Sequence, residues 1–183
     1  PGLCRAWVRS TSAMVWLHEL GHLTGLNHAS QGTVTNEGGI RVVKTAEYGD
    51  GSCPMGNSLR QVPFNVPHRW ELGWLPPSMV LALPARGQPY TLTLVSASLP
   101  PAEGGGTLLV TLPTAAQQYS LCVSYRTPHG FDVNLPPAML GALGIHLCKF
   151  GINTLLLQTV QPVGGVFFNA ALNTAVVLIS KNG

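Results

Sequence analysis

The feature that most constrains this chain is a short run near its start, His18-Glu19-Leu20-Gly21-His22-Leu23-Thr24-Gly25-Leu26-Asn27-His28, which fits the pattern H-E-x-x-H-x-x-G-x-x-H. On a helix, positions four apart differ by about 40° around the axis and lie one turn apart. His18 and His22 therefore share a face, where two imidazoles can grip one metal ion, and Glu19 sits beside them. A third ligand of good geometry cannot come from the same straight helix, so the chain must turn. Gly25 tolerates the positive φ of such a turn, and His28 can then swing back to the metal. Three neutral imidazoles leave a fourth position open, as a catalytic zinc site requires. The spacing thus predicts Zn2+ held by His18, His22 and His28, with Glu19 as acid/base toward a water there. A bare H-E-x-x-H arises by chance in unrelated helices. The addition of Gly25 and His28 makes chance a poor explanation.

The flanking sequence predicts the frame. Met14, Leu17, Leu20 and Leu23 recur at three-residue spacing, with Val15, Trp16 and Leu26 widening the stripe, so a helix is expected over 13–26. Ser10, Thr11 and Ser12 supply N-cap side chains. Residues 29–62, rich in Gly, read as an irregular connection. A second short helix is expected over 66–75, with Pro67 in its first turn and Gly73, Pro76 and Pro77 at its end. Farther on, segments 90–95, 107–112, 119–126, 154–160 and 175–180 are short, rich in Val, Leu, Thr or Tyr, and separated by Pro and Gly. They predict antiparallel β structure, a small sandwich. The expected class is α+β, with a module boundary near residues 76–90 that divides the chain into 1–80 and 81–183.

Composition narrows the function. Of 183 residues, 45% are hydrophobic, enough for a real core, and only 9% are charged. The ten Lys and Arg residues are scattered, so neither a nucleic-acid surface nor a polybasic membrane signal is expected. No apolar run is long enough to span a bilayer; the nearest, 138–148, contains His146. The seven acidic residues form no calcium-loop pattern. Cys4, Cys53, Cys122 and Cys148 include no C-x-x-C pair and read as two disulfides of a secreted protein, with all three pairings open. His68, His129 and His146 read as surface or hydrogen-bonded histidines rather than ligands. Arg126 and Asp132 read as structural, and Trp7, Trp16, Trp70 and Trp74 as core. Tyr48 is a candidate to stabilise an oxyanion, with no spacing rule behind it.

Several segments together resemble the gametolysin family of metzincins, the algal cell-wall lytic peptidases and their relatives. They are HELGHLTGLNHA (18–29), EYGDGSCPMG (47–56), VPHRWELGWL (66–75) and SYRTPHGFD (124–132), and FFNAALNTAVVLIS (167–180) resembles a degraded closing strand region. The resemblance implies part of a metzincin catalytic core (active-site helix, Met-turn, second helix) followed by a β-rich, sandwich-like C-terminal module. It implies His18, His22 and His28 as zinc ligands, Glu19 as the catalytic residue, and Met55 as the Met-turn residue, packed beneath the ligands and not ligating. The implied activity is that of a secreted zinc metalloendopeptidase acting on protein or glycoprotein substrates of a cell wall or matrix. Metzincins place a mixed sheet before the active-site helix, and His18 stands too near the start for one, so the chain is expected to be a truncated portion. The competing expectation is a non-catalytic extracellular β-rich binding module that retains a zinc site. The intact Glu19 favours the enzyme.

Overall fold

The structure, a computed structural model, describes residues 8–56, 60–85, 88–99, 106–116, 118–149, 151 and 154–181. It is a mixed α and β fold, rich in sheet and poor in helix. Helix α1 spans Ala13–Leu23 and buries Met14 and Gly21. Its stripe is narrower than the periodicity suggests, because Trp16 and Leu20 are half exposed. Ser12 is the N-cap residue but its side chain makes no capping bond. The C-terminus is closed with more care. Gly25 N–H donates to His22 O and Leu26 N–H to Gly21 O, both at 3.0 Å. This is the paired-bond stop that needs a left-handed residue, and Gly25 has φ 95°. Helix α2, Val66–Glu71, ends the same way, with Gly73 at φ 71° and Trp74 N–H bonded to Arg69 O. Its N-cap Asn65 accepts from His68 N–H.

Among the described residues nine strands follow the chain: β1 Ala29–Asn36, β2 Ile40–Ala46, β3 Val80–Ala82, β4 Leu109–Pro113, β5 Ser120–Arg126, β6 Ala142–Cys148, β7 Thr154–Val160, β8 Val166–Asn169 and β9 Thr174–Val177. Seven form one sheet in the order β2-β1-β7-β6-β5-β4-β3, and β8–β9 form a separate hairpin. The pairs β1/β7 and β3/β4 are parallel and the other ladders antiparallel. Successive side chains of a strand point to opposite faces, so β5 and β6 serve two cores. Leu121, Val123, Leu143, Ile145 and Leu147 join Phe167, Leu172 and Leu178 from the hairpin region on one face. Cys122 and Cys148 join Val66, Leu75 and Met79 on the other. A smaller cluster of Leu26, Ala29, Cys53, Met55 and Phe64 lies under α1.

Three expectations change here. Residues 29–62 are not an irregular connection, since β1 and β2 lie within them. Their glycines serve the hairpin: Gly38 and Gly39 take positive φ in its turn, and a Cβ on Gly32 would stand 2.8 Å from Val43 O on the neighbouring strand. The sheet also draws strands from both sides of the 76–90 boundary, because β1 pairs with β7 through Ala29↔Thr154, Ser30↔Leu155 and Gln31↔Leu156. Finally, Cys122 and Cys148 are joined across β5 and β6, but Cys53 is free and buried. Burial pushes its thiol up to about 12, aided by the Asp50 charge, so Cys53 is a neutral packing residue. Cys4 and Trp7 lie outside the described residues. Of the other tryptophans only Trp70 packs on a core; Trp74 is 60% exposed although it meets Phe64 edge to face.

Candidate metal centre

Three local events bring the histidines together. Helix α1 sets His18 and His22 one turn apart. The stop at Gly25 reverses the chain and places Leu26 beneath the helix. β1 then begins at Ala29, whose N–H donates to Met55 O at 2.9 Å, and this fixes where His28 emerges. The ring centroids stand 4.8 Å (His18–His22), 5.4 Å (His18–His28) and 4.9 Å (His22–His28) apart. One ligand atom from each lies within 4.8 Å of the others, close enough to hold a metal ion. Among the described residues this is the one such cluster of His, Cys, Asp and Glu.

The outer ring nitrogens decide the chemistry of the inner ones. His18 Nδ1 lies 2.8 Å from Pro54 O, His22 Nδ1 2.9 Å from Leu26 O, and His28 Nδ1 2.8 Å from Glu47 Oε1. All three partners only accept, so each Nδ1 carries the hydrogen and donates it. In a neutral imidazole that arrangement leaves a lone pair on Nε2. The Nε2 atoms of His18 and His22 stand 3.1 Å apart. Two lone pairs that close repel each other, and a cation shared between them removes the repulsion. The donor set therefore fits a metal ion, and the acceptors on Nδ1 fix how each ring is turned toward it.

Glu19 lies on α1 between His18 and His22 in the chain and is partly buried. Met55 is fully buried below the helix: a Cβ on Gly21 would stand 2.3 Å from Met55 Sδ. The 53–56 turn thus presses its methionine against the helix between His18 and His22 and offers the preceding carbonyl to His18. Two further residues stand here: Glu47, which sequence reasoning left without a role, and Tyr48, which it weighed only as an oxyanion candidate. Glu47 bonds His28, with Lys44 Nζ 3.5 Å from the same oxygen; the His28 hydrogen bond, then Lys44, lower its carboxyl pKa. The Tyr48 ring packs 4.4 Å from His28 and 6.0 Å from His18 and is half exposed. Their signal was adjacency within the EYGD segment, which only the β1–β2 pairing turns into proximity.

Comparison with models of known protein families, with curated proteins and with solved structures found no match. The site is therefore read from its own geometry.

What holds the 47–56 segment is a buried polar network. Asp50 is fully buried; its Oδ1 accepts from Ser52 N and Oγ, and its Oδ2 from Asn65 Nδ2 and His146 Nε2. Burial alone would raise its carboxyl pKa, but the bonds from His146, Ser52 and Asn65 outweigh it and hold the group well below the usual range. His68 is buried beside Cys53 Sγ at 3.2 Å, and burial pushes it down to about 4. Arg126 grips Asp132 with two nitrogens and donates from Nη1 to Ser52 O at 2.6 Å. His129 bonds Thr127 at the surface. His68, His129 and His146 thus stand apart from the cluster.

Proposed function

We propose that this chain belongs to a secreted zinc metalloendopeptidase of the gametolysin kind. His18, His22 and His28 are the zinc ligands and Glu19 is the catalytic acid/base. The observation that carries the reading is the convergence of three imidazoles whose Nδ1 atoms are each tied to an acceptor, which leaves Nε2 of each ring for an ion. The donor set favours zinc. Nitrogens about 2.0–2.1 Å from a tetrahedral zinc stand about 3.3 Å apart, near the 3.1 Å between His18 and His22. When bound, the ion would supply the Lewis acidity that makes water nucleophilic near neutral pH and polarises a peptide carbonyl. Glu19 takes the proton of the attacking water and hands it to the leaving amine, a role worth about 10²–10⁴ in rate. In this reading α1, the 53–56 turn and α2 are the active-site helix, Met-turn and second helix of a metzincin core, and strands β3 to β9 are the β-rich part, joined to that core through the β1–β7 pairing. Met55 acts by packing. The substrates are proteins or glycoproteins of a wall or matrix, and the Cys122–Cys148 cross-link suits the oxidising compartment where those are found.

Elemental analysis of the purified chain is expected to find about one zinc per molecule, most of it lost in His22→Ala. Hydrolysis of a denatured protein should stop with a chelator. It should fall at least about 10²-fold in Glu19→Gln while zinc stays bound. A chain without zinc, or a Glu19→Gln variant with full activity, would refute the reading. A chain that binds zinc yet cleaves nothing is the binding module instead.

A further inference from the structure

We infer that Glu47 is the positioning residue for the third ligand: its carboxylate holds His28 in the Nδ1–H tautomer and so keeps Nε2 bare for the ion. The inference rests on reading the three histidines as metal ligands. It comes from an asymmetry among them. His18 and His22 ride on one helix, and main-chain carbonyls of Pro54 and Leu26 fix their rings. No side-chain substitution removes those acceptors. His28 lies past the helix stop, and its Nδ1 is held by a side chain, Glu47 Oε1 at 2.8 Å. A free imidazole of histidine favours the Nε2–H form, which puts the hydrogen on the atom that must bind metal. Without an acceptor at Nδ1, His28 would revert to that form, and binding would then have to undo it.

The fold delivers this carboxylate to its place. The pairing Gln31↔Ala46 sets the end of β2 beside the start of β1, so Glu47, just past β2, meets His28, just before β1. Ser30 Oγ donates to Glu47 O at 2.6 Å and fixes the backbone there. The Tyr48 ring packs on the His28 ring and limits its rotation. Glu47 itself is half exposed, so its charge stays hydrated while one oxygen is committed to the ring.

Three measurements test it on the whole chain. In metal-free protein, the ¹⁵N ring signals of His28 should report Nδ1–H in the wild type and in Glu47→Gln, whose amide oxygen still accepts. In Glu47→Ala they should report mainly Nε2–H. Zinc affinity, read by competition with a chromophoric chelator, should fall about 10–100-fold in Glu47→Ala and less in Glu47→Gln. The unfolding midpoint of the metal-free variants should not move, which separates positioning from general support. An Nε2–H tautomer in the wild type would overturn the inference. So would wild-type affinity in Glu47→Ala, or lost affinity with an unchanged tautomer. Because the tautomer is read without metal, it judges Glu47 directly, while zinc uptake by the wild type separately judges the metal reading.

Discussion

Gly21→Ala probes how α1 and the 53–56 turn fit. A Cβ there would stand 2.3 Å from Met55 Sδ, and 3.3 Å from both Met55 Cε and Phe64 Cε1. Ordinary contact needs about 3.5–4.0 Å, so the sulfur must retreat by more than about 1 Å. Met55 has nowhere exposed to go, being fully buried. Alanine in place of glycine would by itself favour the helix by about 1 kcal/mol, while overpacking a tight core costs about 1–3 kcal/mol. The expected net loss is up to about 2 kcal/mol, with weaker zinc binding because His18 and His22 ride on the displaced helix. Met55→Ala alone should cost about 2–5 kcal/mol. In that background the clash with Met55 is gone, the closer approach to Phe64 Cε1 remains and so does the helix preference, so Gly21→Ala should be neutral or stabilising by up to about 1 kcal/mol. The double-mutant cycle should therefore show a coupling of about 1–3 kcal/mol. Urea unfolding of the four proteins measures it. Additivity within about 0.5 kcal/mol would refute the contact.

Gly56→Ala should be worse, because its Cβ would meet main chain that cannot yield, 2.1 Å from Asp50 O and 2.8 Å from Ala29 O; a loss above about 4 kcal/mol is expected, and a soluble variant with native circular dichroism would contradict it. Burial holds His68 at about 4 against 6.5 in the unfolded chain. Between those pH values the unfolded chain binds the extra proton, so stability is full above 6.5 and falls by about 3 kcal/mol as pH drops to about 4. His68→Asn should flatten that slope in chelated protein, and an unchanged slope would show that His68 is not its source. Asp50 adds a further loss below the usual carboxylate range, its folded pKa being depressed. For the cysteines, peptide mapping without reduction should recover Cys122 linked to Cys148, and Cys53 should resist iodoacetamide until the protein unfolds. With a separation of 26 residues the bond is worth about 3.5 kcal/mol by the chain-entropy relation, so reduction should lower the urea midpoint accordingly.

The helix, its stop and the grouping of the histidines were legible because their causes are local. An i, i+4 pair shares a face on any helix, and Gly25 marks the reversal by its lack of a Cβ. Strands β5 and β7 were legible from runs of Leu, Val and Thr, and α2 from Pro67 and Gly73. The β1–β2 hairpin was not. β1 reads ASQGTVTN, with few residues that favour strands, and its glycines mimic a loop. Its burial comes from packing beside β7, more than a hundred residues later, and nothing near residue 30 encodes that. Cys53 was misread for a related reason: a cysteine's spacing does not tell whether its thiol will face another sulfur or, as here, His68 and a closed core. Trp16 and Trp74 show the converse, since large apolar side chains often remain on surfaces.

The hidden half of the fold is also what steadies the visible site. His18 depends on the carbonyl of Pro54, and Met55 of the same turn supports α1 at Gly21. That turn is anchored at Asp50 and Ser52, which are held in turn by His146 on β6 and by Arg126 on β5. Asn65, at the start of α2, ties Asp50 to Thr154 on β7, the strand that pairs with β1 next to His28. The three histidines all fall within the first 28 positions, yet the groups that hold their rings and their turn reach across the whole sheet. A buried carboxylate with four donors is costly to disturb, because removing one partner strands a charge away from water. The Asp50 network therefore couples the histidine cluster to the strands behind it. Damage on β5 or β6 should be felt at His18 through Ser52 and Pro54.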